Sequence, residues 1–147
     1  VSEVEAGMVE TDQAVRAHGV RTVEVRVFAD AEQVPLVRSF AADIAMRMDF
    51  DLDAIEDLRM AVDEACLMLV RAAVPGTSLE CRFEAGEARL ALLAAVDAAE
   101  PTPPSADAMS WRILTALAQS AGERVEEADG GHRVSIELSC GPGTGSP

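Results

Sequence analysis

Three cysteines (Cys66, Cys81, Cys140), two histidines (His18, His132) and a stretch of acids from Asp49 to Asp57 are the side chains whose chemistry has to be weighed first. The cysteines are odd in number and show no Cys-x-x-Cys spacing, so they read as free thiols of a reducing compartment. Cys140, near the C-terminal end, is the one expected to be exposed and reactive. The histidines stand far apart without partners at ligand spacing, and no metal site is expected. Asp49, Asp51, Asp53, Glu56 and Asp57 read as a solvated acidic stretch or as a face for a basic partner. A more informative set is Asp57, Met60, Glu64, Leu67, Met68 and Arg71. At about 100° per residue these share one side of a helix whose other side is Ile55, Leu58, Val62, Ala65 and Leu69. A helix apolar on two sides is sandwiched, or it lines a site.

The elements that must hold these residues can be read in order. Residues 1–20 are polar, without sustained periodicity, and are expected to be a disordered arm. Thr22 to Phe28 alternates polar and apolar, the pattern of a half-buried strand. A helix beginning near Glu32 tolerates Pro35 in its first turn and carries the stripe Val37, Phe40, Ala41, Ile44 and Met48. Asp51 is placed to cap a second helix running to about Ala73, which Pro75-Gly76 stops. Leu79 to Phe83 and Arg89 to Val96 form a hairpin with a turn at Ala85-Gly86-Glu87 and a central second strand. Asp97 to Asp107, with three prolines, is a loop. A third helix is expected from Ala108 to Ala121. Two last strands, Arg124–Glu127 and Arg133–Leu138, are joined at Asp129-Gly130-Gly131, and residues 140–147 read as a flexible tail. The order β-α-α-β-β-α-β-β with strands in hairpins predicts an α+β two-layer sandwich, its mixed or antiparallel sheet covered by helices on one face. One domain, residues 21–139, is expected.

Composition narrows the function classes. The 147 residues carry 12 basic and 26 acidic side chains, a formal charge of −14 and a pI near 4.4. Lysine is absent. A phosphate backbone needs a basic face, so a general nucleic-acid binder is excluded, and an anionic membrane is disfavoured. A partner with a basic surface fits better. No run of about 18 apolar residues exists to span a membrane. Val1 to Ala17 has no apolar core of a secretory leader, and a cytoplasmic protein is expected.

The second helix carries a family resemblance. Asp57-Leu58-Arg59-Met60-Ala61-Val62-Asp63-Glu64-Ala65-Cys66 resembles the N-box helix of the GHKL (Bergerat-type) ATPases, in particular the bacterial anti-sigma-factor kinases of RsbW type, whose pattern there is A-V-[SD]-E-A-x-T-N. Ala108-Met109-Ser110-Trp111-Arg112-Ile113-Leu114-Thr115-Ala116-Leu117-Ala118 is similar to the family segment G-L-G-L-x-[LI]-[VI]-x-x-L-[AS]. The blocks Asp57–Glu64 and Ser110–Ala118 also resemble a divergent actinobacterial subgroup of anti-sigma factors. The element order from Arg21 to Leu138 agrees with the family domain.

The resemblance implies roles position by position. Glu64 takes the place of the glutamate that polarises the attacking hydroxyl or the lytic water. Met68 stands where the family has the asparagine that ligates Mg²⁺. A thioether is a soft ligand for a hard cation and cannot do that work. Leu67 replaces a threonine. Asp97 takes the place of the adenine-binding aspartate, but Ala98-Ala99-Glu100-Pro101 lacks the glycines that follow it. Ala108 and Ser110 occupy the glycine positions of the phosphate lid, with Trp111 beside them. Met60, Leu67 and Met68 are expected to fill the vacated pocket. Counting without gaps from Glu64, the family arginine that contacts the sigma factor falls on Arg38, exposed by helical phase, beside Val37 and Phe40.

The expected function is therefore an anti-sigma factor, acting as a homodimer. It sequesters an alternative sigma factor by direct contact and is released by an anti-sigma-factor antagonist. No cofactor is expected, ATP and Mg²⁺ at most weakly. Two other classes stay open: an ATP-dependent serine kinase acting on the antagonist, with Glu64 as base, and a GHKL-fold sensor of a non-nucleotide ligand.

Overall fold

The computed structural model describes residues 21–143. The arm expected over residues 1–20, with His18, and the last four residues of the tail lie outside the described residues. Strand β1 (Arg21–Phe28) leads through a 3-10 turn (Ala31–Gln33) into helix α1 (Val34–Arg47) and helix α2 (Leu52–Ala72). Strands β2 (Ser78–Gly86) and β3 (Arg89–Ala98) follow. A second 3-10 turn (Pro104–Ala106), helix α3 (Ala108–Leu117) and strands β4 (Ser120–Ala128) and β5 (Gly131–Cys140) complete the order.

The five strands form one antiparallel sheet in the order β1-β2-β3-β5-β4. Val25 lies opposite Cys81, Cys81 opposite Ala94, and Ala94 opposite Ile136. This register gathers one face of the sheet into an apolar layer, with Phe83, Leu92 and Leu138 in the adjoining row. Helix α2 crosses that layer with Leu58, Val62, Ala65 and Leu69 fully buried, and α1 and α3 pack on its two flanks. The result is an α+β two-layer sandwich with the helices on one face. The opposite face carries the charged partners Arg26, Glu80, Arg133 and Asp97.

Local chemistry fixes the ends. The Asp51 carboxylate accepts from the Ala54 N–H at 2.8 Å and caps α2, as its position before the apolar stripe predicts. The β2–β3 connection is the two-residue turn Glu87-Ala88, and Ala88 sits in the left-handed region at φ 60°. Gly130 takes φ 75° in the β4–β5 turn.

Three expectations are corrected. Helix α3 ends at Leu117 rather than Ala121, because the Gln119 N–H donates to the Ser139 carbonyl and starts β4 at Ser120. Sheet pairing there outweighs helical propensity. Strand β5 runs to Cys140, and the Pro142 carbonyl accepts from the Asp51 N–H at 3.0 Å, so this part of the expected tail is tied to α2. Cys140 itself is buried, and burial pushes its thiol up to about 11. It is not an exposed reactive group.

Candidate functional site

A cleft of about 350 Å³ lies between the C-terminal half of α2, the Pro-rich loop after β3 and the start of α3. Met68, Ala72, Pro103, Pro104 and Val134 give it an apolar lining. Arg71, Glu100 and Asp107 bring charge to it. The loop owes its path to two anchors. The Glu123 carboxylate accepts from the Ser105 N–H at 2.8 Å and from its hydroxyl at 2.5 Å. Register explains this grip, since Glu123 faces Ile136 and therefore points to the helix side of β4.

The second anchor is Asp107. Its carboxylate accepts from the Ser110 N–H at 3.2 Å and from the Ser110 hydroxyl at 3.0 Å, capping α3. These hydrogen bonds, backbone first, hold the Asp107 carboxyl below its ordinary value, with Arg71 assisting. The Arg71 guanidinium donates to the Ser110 hydroxyl at 3.5 Å and stands 3.7 Å from Asp107. A helix start exposes unpaired N–H groups and the positive end of the helix dipole. Here the chain's own carboxylate takes up that end.

The structure sorts the residues singled out in the sequence. Met68 is buried and lines the cleft, while Ala108 is exposed at the first turn of α3 and Ser110 is buried beneath Asp107. Glu64 is half-buried one turn before Met68 and is not among the lining residues of the cleft. Asp97 is on the other side of the sheet. Strand alternation sends Val96 and Ala98 to the core and Asp97 outward, where Arg133 donates to it at 3.1 Å. Of the three residues expected to fill the pocket, only Met68 reaches the cleft, where it lines the wall without filling the space; Met60 is exposed and Leu67 is half-buried away from it.

The surface expected on α1 is also rearranged. Val37 is fully buried and Phe40 half-buried against the core. Arg38 is not free. Its guanidinium donates to Asp63 at 2.8 Å across α1 and α2, and both side chains are about two-thirds covered. Arg38 Nε and Asp63 Oδ1 are buried without partners.

Sequence reasoning missed Asp107, Glu123 and Asp63. Asp107 was legible as an aspartate immediately before the expected start of the third helix, a favoured capping residue. Glu123 and Asp63 carry no local signal, because their partners lie in other elements.

Comparison with known proteins places the chain. Residues 27–129 match the family model of the histidine kinase-like ATPase domain. The anti-sigma-F factor RsbW of Mycobacterium tuberculosis is 39% identical over 105 residues, covering 70% of this chain and 61% of the relative. The serine-protein kinase RsbW of Bacillus thuringiensis and that of Bacillus cereus are each 41% identical over 49 residues, covering 33% of this chain and 31% of the relative. The match thus spans less than two-thirds of the length of these relatives. With residues 27–129, well over half of the chain, matched, the chain belongs to the histidine kinase-like ATPase domain family, on the side of that family that resembles RsbW anti-sigma factors.

Proposed function

We propose that this chain is an anti-sigma factor that holds an alternative sigma factor by direct contact, as a homodimer in the cytoplasm, and yields it to an anti-sigma-factor antagonist. The observation that carries this reading is the 39% identity, over 70% of the chain, to the anti-sigma-F factor of Mycobacterium tuberculosis. The acidic balance of −14 supports it, since a protein that binds DNA offers basic surface. The test is co-elution of the purified chain with each purified alternative sigma factor of its own organism, followed by loss of that sigma factor from core RNA polymerase. Capture of none of them, by a chain shown to be folded, overturns the reading.

Contact rather than phosphorylation is the mode of action we propose. The family implies a magnesium–nucleotide complex, and the donor set does not fit one. Met68 presents a thioether where an oxygen ligand is required. Asp97 faces away from the cleft and is engaged by Arg133. Glu100 and Asp107 line the cleft with negative charge, which opposes a polyphosphate.

A kinase is the second reading, favoured by the 41% identity over 49 residues to serine-protein kinases of Bacillus and by the retained Glu64. It requires transfer of phosphate from ATP to a serine of an antagonist, abolished by Glu64→Ala.

A further inference from the structure

The start of α3 combines three features: the N-terminal end of a ten-residue helix beside the cleft that Asp107 lines, a guanidinium at the same end, and a carboxylate of the chain in contact with both. Helix starts of this kind attract phosphate because unpaired N–H groups and the dipole act together. Arg71 would strengthen that attraction, since arginine matches phosphate oxygens with paired donors. Asp107 engages both. It accepts the Ser110 N–H and hydroxyl, and it stands 3.7 Å from Arg71.

We propose that Asp107 is the specificity-determining residue of this cleft: its carboxylate is a resident anion that closes the α3 start and Arg71 to phosphate, and so excludes polyphosphate ligands. This inference rests on the reading that the cleft takes no magnesium–nucleotide, and adds which residue keeps it out.

Two physical points support the assignment. An incoming phosphate would have to displace Asp107 from Ser110 and then sit against its negative charge, because the loop holding Asp107 is fixed by Glu123 at Ser105. The Asp107 carboxyl also stays ionised at neutral pH, being held below its ordinary value by the Ser110 hydrogen bonds, so the block is permanent rather than titratable near neutrality. Glu100 on the same cleft adds charge of the same sign.

The experiment is calorimetric titration of the full chain with pyrophosphate, with ADP and with ATP, each with and without Mg²⁺. It compares the wild type with Asp107→Ser and Asp107→Asn. Both replacements retain a side-chain cap for α3 and remove the charge, and circular dichroism confirms that each variant folds. Adding Arg71→Ala to Asp107→Ser tests the cation. The expected result is no pyrophosphate binding by the wild type at millimolar concentration, a gain of about tenfold or more in affinity in both variants, and loss of that gain in the double variant. If neither variant binds pyrophosphate better than the wild type does, Asp107 is not the excluding group and the inference falls, while the contact-only reading stands. If the wild type binds ATP at micromolar concentration, both fall. A gain that survives Arg71→Ala overturns the assignment of the cation.

Discussion

Arg38 and Asp63 spend their charges on each other. Their single hydrogen bond of 2.8 Å leaves Arg38 Nε and Asp63 Oδ1 covered and unsatisfied. An exposed pair contributes about 0–1 kcal/mol, whereas stranding one member of a buried pair costs about 3–5 kcal/mol. With both side chains about one-third exposed, this pair falls between. Arg38→Ala or Asp63→Ala is expected to cost about 1–2 kcal/mol in urea unfolding. The double replacement Arg38→Met with Asp63→Leu is expected to cost less than either single one, because it also removes the two unsatisfied atoms. Additive losses would show that the two side chains do not interact. The same logic of cover applies to the thiols. Burial raises Cys140 to about 11, and a hydrogen bond with Cys66 together with burial holds Cys81 well above its ordinary value. A thiol whose folded value is raised contributes stability that is present below its unfolded value, about 8.5, and is lost as the pH rises toward its folded value. Reaction with a thiol reagent at pH 8 is therefore expected to be at least about 100-fold slower in the native protein than in urea. A fast phase in the native protein would mean that one of the three is open to solvent.

At the scale of elements, what the sequence made legible and what it did not follow one division. Elements set by periodicity and caps are found where the pattern puts them. The stripe Ile55, Leu58, Val62, Ala65 and Leu69 and the Asp51 cap together define α2, and the alternation of Thr22 to Phe28 and of Leu79 to Phe83 defines β1 and β2. The end of α3 was not legible, because Ala118 to Ala121 favours a helix locally and is captured by pairing with β5. Likewise the place of Asp97 depended on strand parity. Extending the β3 alternation two residues past Val96 would have turned Asp97 away from the cleft. Turn chemistry leaves one visible cost. Ala88 holds φ 60° in the two-residue β2–β3 turn, a conformation that opposes its Cβ. Ala88→Gly is expected to raise stability by about 0.5–1 kcal/mol, since glycine adopts this conformation without that opposition. A loss of stability in urea unfolding would mean that the turn gains more from alanine's restricted unfolded state than it pays in strain.

For the whole molecule the decisive property is charge. A balance of −14 on 147 residues produces a long-range field. The cleft contributes Glu100 and Asp107 to it, and the N-terminal end of α2 contributes Asp51, Asp53 and Asp57. Such a field repels polyphosphate and attracts a basic protein, so the features that disfavour nucleotide use are the ones that favour the proposed partner. The field acts on encounter more than on the lifetime of contact, because separated charges are screened over about 8–10 Å at ordinary ionic strength while packed groups are not. Raising the salt from about 0.05 to 0.5 M is therefore expected to slow association with the proposed sigma-factor partner by about tenfold or more and to change its dissociation by less than about threefold. Stopped-flow fluorescence with Trp111, the single tryptophan, or a labelled sigma factor reads both rates. If salt instead accelerates dissociation and leaves association unchanged, ion pairs hold the complex together, and the Arg38–Asp63 pair, about one-third exposed, becomes the first place to look for the exchange of partners.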